Sequence, residues 1–470
     1  MMKKLDPALL KRVVIEGVYP EIDGGRFPIK RAVDEAVIVN ADIHADGHDV
    51  LAAALLYRKR GNADWTETSM RPLGNDRWTA RFAVSSLGRY EYTLEAWVDR
   101  FATWRSEIEK KFAAGQTVSS ELLEGADVIQ SAESAEGALS VAARQLRDTS
   151  LPEEQRVAIA LDADLQREVA ARPDRSLATR YRVLEVIVDP VRARFGAWYE
   201  MFPRSATPDP TRSATFDEAA SMLPYVAGMG FDVLYLPPIH PIGRSFRKGR
   251  NNSLEASPDD PGSPWAIGAD AGGHKAVEPS LGTLAEFDRF VREARRHGLE
   301  IALDLAYQAS PDHPYVREHP DWFRRRPDGT IKYAENPPKK YQDIYPLNFE
   351  ADDWQALWQE LKSIIEFWIR HGVKIFRVDN PHTKPYAFWE WALGDLKRRY
   401  PDAIFLSEAF TRPKIMRYLA KSGFTQSYTY FTWRNTKAEL TEYFTELTQT
   451  AVREYMRPNL FANTPDILHE

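Results

Sequence analysis

Two hydrophobic periods divide the chain. In the first hundred residues apolar positions recur at every second place. Residues 35–43 (EAVIVNADI), 50–58 (VLAAALLYR), 77–84 (RWTARFAV) and 89–98 (RYEYTLEAWV) are β-rich runs. Trp78, Ala80, Phe82 and Val84 alternate with polar Thr79 and Arg81, the pattern of a half-buried strand. Asp46-Gly47, Gly61-Asn62 and Gly74-Asn75 supply the turns between these runs. The pattern predicts an immunoglobulin-like β-sandwich over 1–105. The period then changes to that of a helix. Residues 119–148 and 152–170 are rich in Ala, Glu and Arg, with Ser119-Ser120-Glu121 and Pro152-Glu153-Glu154 as N-terminal signals. A helical insert is predicted over 106–185.

Beyond 186, short apolar runs alternate with amphipathic helices. The runs are FGAWYEMF (195–202), FDVLYLPPI (231–239), LEIALDLAY (299–307), VKIFRVDN (373–380) and AIFLSEA (403–409), with weaker ones at SYTYFTW (427–433) and PNLFAN (458–463). The helical stretches 283–298 and 352–372 each end in His-Gly, a cation in the last turn and a glycine at the C-cap. Strands alternating with helices imply a parallel sheet, and this many in series predicts a (β/α)₈ TIM barrel over 186–470. Seven strands are counted before Glu470, so the barrel is expected to lack its eighth strand.

Composition removes several classes of function. A net charge of -6 and pI near 6.0 speak against nucleic-acid binding. No cysteine is present, which excludes disulfides and thiolate metal sites and suits a reducing cytoplasm. No apolar run approaches membrane-spanning length. The 13 Trp and 20 Tyr are numerous enough to line a sugar cleft as well as fill cores.

The chemistry of such a barrel sits at the C-terminal ends of its strands. Asp379 follows KIFRV, Glu408 follows AIFLS and Asp466 follows PNLFANTP, so three acids are delivered to one face. Asp304 closes the third strand but is followed by more apolar chain, and is expected to face the wall. Each acid alone better suits capping or a salt bridge; together they suit glycosyl transfer, which needs an anion at C1 and a proton donor at the leaving oxygen. Asp379, held ionised by Arg377 on the same strand face, fits the nucleophile. Glu408 fits the acid/base and Asp466 a transition-state stabiliser that binds sugar hydroxyls. His240, His313 and His469 show no metal-ligand spacing, and no catalytic metal or cofactor is expected. His382, three residues after the nucleophile, suits a supporting or a structural role. A structural calcium is left open.

FRVDNPH, FLSEA and NTPD resemble the nucleophile, acid/base and third-aspartate motifs of the α-amylase superfamily of retaining enzymes. The longer strings PPIHPIGRSFRKGRNN, SPWAIG, ALDLAYQASPDHP, RVDNPHTKP and NTPDIL resemble one family within it, the α-1,4-glucan:maltose-1-phosphate maltosyltransferases, over essentially the whole chain. Two departures from amylases fit that narrower likeness: the stretch after Asp304 lacks the usual Asn-His, and Pro465 replaces the usual His before the third acid. The resemblance implies transfer of maltosyl from α-maltose 1-phosphate to an α-1,4-glucan acceptor, in cytoplasmic bacterial α-glucan synthesis from trehalose, by a homodimer. It also implies a C-terminal domain beyond the eighth strand. Under the same likeness Lys248, Gln308, Lys339, Tyr341 and Asn380 contact the phosphate and nearby hydroxyls, with Lys340 an alternative to Lys339. A retaining α-glucan hydrolase or a trehalose-type isomerase is the rival on the same barrel. A catalytically dead glucan-binding protein is a more distant one.

Overall fold

The structure is a computed structural model, and it describes residues 6–131, 137–250 and 253–464. The chain forms two compact units, one of Met1–Ile29, Asp34–Val84 and Arg89–Val186, the other of Lys30–Val33, Ser85–Gly88 and Ile187–Glu470.

In the first unit, strands Val14–Tyr19, Ala36–His44, Arg77–Ala83 and Arg71–Gly74 lie side by side, and Leu51–Lys59 lies between Thr66–Ser69 and Gly88–Val98 in a second sheet. All of these pairings are antiparallel. Alternation decides which side chains go inward: Trp78, Ala80 and Phe82 are buried along one strand, Val37, Val39, Ala41 and Ile43 along its neighbour. The sheets meet through Phe82, whose ring stacks on Tyr57 at 4.6 Å and leans on Tyr92 at 5.8 Å.

Helical structure begins at Arg100, directly after the last long strand, because Asp99 caps the helix Arg100–Ala113 by accepting the Ala102 amide at 2.8 Å. Ser119–Ser131, Ala138–Arg147, Glu153–Ala160 and Ala163–Ala170 come next. Their core is Trp104, Ile108, Leu122, Ile129, Leu139 and Leu146. Gly125 is the tight point, since a Cβ there would stand 1.9 Å from the Trp104 ring.

The second unit is built on a parallel sheet of six strands in sequential order: β1 (Trp198–Glu200), β2 (Val233–Leu236), β3 (Glu300–Leu305), β4 (Ile375–Val378), β5 (Ile404–Ser407) and β6 (Gln426–Ser427). Both predicted helices are present, Leu284–Arg296 and Trp354–Arg370, with C-caps His297 and His371 and left-handed glycines at 298 and 372. Side chains on one face of the sheet, among them Leu234, Leu303, Phe376 and Phe405, pack on the helices. Those on the other, Val233, Tyr235, Ala302, Ile375 and Ile404, form a smaller core of their own. This is a half-barrel arrangement, with an inner layer and an outer one.

Two predicted strands are corrected. The run 427–433 is a strand only at Gln426–Ser427 and then turns through the 3₁₀ segment Phe431–Trp433. Its aromatics alternate because they pack in a loop: Phe410 meets Tyr428 at 5.7 Å and Trp433 at 5.1 Å. The run 458–463 forms only a parallel bridge from Pro458 to Ser427, where the seventh strand was expected.

Candidate active site

The inner face of β4 carries Ile375 and Arg377, and period 2 continues to Asp379. On β5 the same parity runs from Ile404 to Glu408. Arg377 and Asp379 therefore face the barrel interior together, and the guanidinium donates to Asp379 Oδ1 at 2.7 Å. Glu408 Oε1 lies 3.7 Å from the same guanidinium. All three side chains are buried.

Asn380 joins the two acids. Its backbone is left-handed (φ 43°, ψ 51°), a conformation that asparagine tolerates better than most residues. The turn aims its amide at Glu408 Oε2, 3.0 Å away, while its side-chain nitrogen lies 3.3 Å from Asp379 Oδ2. Lys384 holds the turn by donating to the carbonyls of Asp379 (3.4 Å) and Asn380 (3.2 Å).

The expectation for Asp304 is overturned. It does not face the wall: in register it stands beside Arg377, on the parity of Ala302, and its Oδ2 accepts from Arg377 at 2.9 Å and from the Tyr235 hydroxyl at 2.5 Å. Burial, opposed by Arg377 and reinforced by Asp379, pushes its carboxyl up to about 7. Arg377 is driven the other way. Burial opposes its charge, but Tyr235, Asp304, Tyr428 and Asp379 together raise its pKa and keep it a cation. Tyr428 closes the ring of contacts, and burial pushes its hydroxyl up to about 12. Asp304, Tyr235 and Tyr428 escaped sequence reasoning. For Asp304 the signal was available in the parity of Ala302-x-Asp304.

Apart from Asn380, the residues expected at the phosphate stand in separate segments after β2 and β3. Lys248 is 6% exposed, and its Nζ lies 3.8 Å from Asp343 Oδ1. Burial raises the Asp343 carboxyl, with Lys248 pulling it back. Gln308 donates to the Trp265 carbonyl at 3.2 Å. Lys339 and Tyr341 belong to a hairpin, Lys339–Tyr341 against Ala334–Asn336, where Lys339 and Lys340 are exposed and Tyr341 is half-buried. The structure thus joins Arg377, Asp379, Asn380 and Glu408 by direct contact and leaves Lys248, Gln308, Lys339 and Tyr341 on surrounding loops. Asp466 and His469 lie outside the described residues.

The histidines form a different cluster. His313 Nδ1 accepts the Tyr315 amide at 3.0 Å, so its proton is on Nε2, which donates to His274 Nδ1 at 3.1 Å. His274 Nε2 in turn donates to the Ala306 carbonyl at 2.9 Å. His240 sits beside His274, 5.7 Å between ring centres, and bonds the Ala276 carbonyl. Burial depresses all three, His240 to about 3, His274 to about 4 and His313 to about 2, so they are neutral. Gly268 must be glycine here, because its φ is +107° and a Cβ would stand 2.3 Å from the His313 ring. His382 is half-buried beside the centre, with Nδ1 unbonded and its pKa lowered by burial and Lys384. Among the described residues no group of three or more His, Asp or Glu is placed to hold a metal, and no helix is long and apolar enough to cross a membrane.

Residues 11–190 match the family described as "Alpha-1,4-glucan:maltose-1-phosphate maltosyltransferase, domain N/S". A Chlorobaculum tepidum protein named alpha-1,4-glucan:maltose-1-phosphate maltosyltransferase is 54% identical over 472 residues, covering 98% of this chain and 69% of that protein. Proteins of the same name from Myxococcus xanthus and Cereibacter sphaeroides are each 54% identical, covering 98% and 97% of this chain and 71% and 77% of theirs. A crystal structure of an alpha-amylase from Lactobacillus plantarum is similar at 25% identity and TM-score 0.45, over 55% of this chain and 60% of that one. The chain belongs to the family of α-1,4-glucan:maltose-1-phosphate maltosyltransferases.

Proposed function

We propose that the chain is a retaining maltosyltransferase that moves maltosyl from α-maltose 1-phosphate to the non-reducing end of an α-1,4-glucan, with release of phosphate. The observation that carries the chemistry is the contact set Arg377–Asp379–Asn380–Glu408. Arg377 holds one oxygen of Asp379 at 2.7 Å, which orients the carboxylate. Asp379 attacks C1, the bond from C1 to the phosphate oxygen breaks, and phosphate leaves with the bonding pair. Glu408 then takes the proton of the acceptor's 4-hydroxyl as that oxygen attacks C1 and displaces Asp379. The net result of two inversions is retention.

In this reading Lys248, Lys339 and Tyr341, with Gln308 and Asn380, meet the phosphate and the nearby hydroxyls. The near-complete burial of Lys248 beside one distant acid supports a cation kept for an anionic ligand. Asp466 completes the acids. The sandwich (1–105), helical insert (106–185) and barrel (186–470), the cytoplasmic setting and the homodimer belong to the same reading. The test is phosphate release from maltose 1-phosphate with glycogen present. Reducing sugar formed from starch, with no phosphate released from maltose 1-phosphate, would sink it in favour of a hydrolase.

A further inference from the structure

A cavity of about 510 Å³ opens within the barrel unit between the loops after β1 and β2, and neither Asp379 nor Glu408 lines it. Its volume falls in the range of small-molecule sites, roughly 300–1,000 Å³. Four arginines line it; Arg212 and Arg250 are paired with acids, and the other two, Arg204 and Arg247, are both half-buried. Neither is ion-paired with a carboxylate among the described residues. Arg247 donates to three carbonyls, of Gly243, Asp260 and Ile242, and Arg204 to one, of Gly262, at 2.9 Å. A guanidinium has five N–H groups, so Arg204 keeps four unspent and Arg247 two.

Four acids line the cavity as well; Asp209 is paired with Arg212 and Asp259 is exposed. Glu278 accepts the amides of Ile242 and Ser280, and Asp260 accepts the Ser257 amide and faces Arg250. Burial lowers the pKa of Arg204, and Arg247 lowers it further against the pull of Glu278. Two neighbouring cations with spare donors inside a ligand-sized cavity are complementary to a tetrahedral oxyanion, which takes the planar fork of arginine in bidentate fashion. Phe202 and Ile242 add an apolar wall beside them.

We propose that this cavity is a second site, separate from the catalytic centre, that binds the phosphate group of a small ligand between Arg204 and Arg247. The shared chemistry is a phosphate dianion, carried by inorganic phosphate or by a phosphorylated sugar. The site stands independently of the maltosyl transfer proposed above.

The test is calorimetric titration of the full chain, in a Lys248→Ala background, with inorganic phosphate and separately with glucose 6-phosphate. Binding is expected to persist in that background, to weaken at least tenfold in Arg204→Gln, and to fall less in Arg204→Lys, which keeps the charge but not the fork. Ser280→Glu, at an exposed position on the cavity rim, puts a like charge there without touching either arginine and is expected to weaken binding too. That variant keeps the test valid if Arg204→Gln folds poorly. Tighter binding of the sugar phosphate than of phosphate would show that the apolar wall holds the ring; equal binding would assign the site to the free anion. Binding that disappears with Lys248→Ala alone, or that survives both Arg204→Gln and Ser280→Glu unchanged, overturns the proposal.

Discussion

The acids around Arg377 and the histidines around His274 are both buried polar clusters, and both are tied to β3 or the residues just after it. Asp304 lies on that strand, and His274 bonds the Ala306 carbonyl just beyond it. They differ in charge and in completeness. The histidine cluster is neutral, and its hydrogen bonds run in one direction from the Tyr315 amide to the Ala306 carbonyl. The arginine cluster is ionic and unfinished: Asp304 Oδ1 and Arg377 Nε are buried without a hydrogen-bond partner. Buried polar groups are ordinarily satisfied, and the exceptions gather where a protein does chemistry. The complete cluster is framework; the incomplete one is where a ligand fits.

Turnover should separate the two most widely. Asp379→Asn keeps the shape and removes the nucleophile, and is expected to lower phosphate release from maltose 1-phosphate roughly 10⁴-fold. His313→Gln, as deeply buried, should keep turnover within about fivefold once the folded fraction is accounted for. Equal losses in a steady-state assay would erase the distinction. Stability comes next. Arg377→Met leaves Asp304, Asp379 and Glu408 without their shared cation, and breaking such a buried set costs about 3–5 kcal/mol. His274→Gln loses neutral hydrogen bonds only, about 1–2 kcal/mol. Denaturant midpoints measure both, and a larger loss for the histidine would reverse the comparison.

Much of the arginine cluster was legible in the sequence, because parity along a strand is local information. Arg377, Asp379 and Glu408 emerge from counting in twos. Asp304 obeys the same count, but the apolar run after it outweighed the parity and pointed the side chain the wrong way. The histidine cluster was not legible. His240, His274 and His313 meet through three loops whose approach depends on Gly268 and the Trp368 indole, which donates to the His274 carbonyl at 2.9 Å. Contact of that kind belongs to tertiary packing. The pairing of Lys248 with Asp343 is illegible for the same reason, since it joins the loop after β2 to the one after β3.

The smallest effect tests the comparison by sign. Each histidine has a folded pKa far below its ordinary 6.5, so between about pH 4 and 6.5 the unfolded chain binds protons that the folded one does not. Stability from this cluster is present above 6.5 and is lost as pH falls. Asp304 is opposite. Its folded carboxyl titrates at about 7 against 3.8 when unfolded, so its contribution is present at low pH and is lost as pH rises through about 7. Over pH 4–6.5 the two clusters oppose each other, each proton contributing a slope of about 1.4 kcal/mol per pH unit. Asp304→Asn should therefore steepen the rise of stability with pH by one proton, and His313→Gln should flatten it by one. Urea titrations at half-unit steps across that range measure both slopes. Identical slopes in the two variants would show that the clusters are not electrostatically opposite, whatever their effects on turnover.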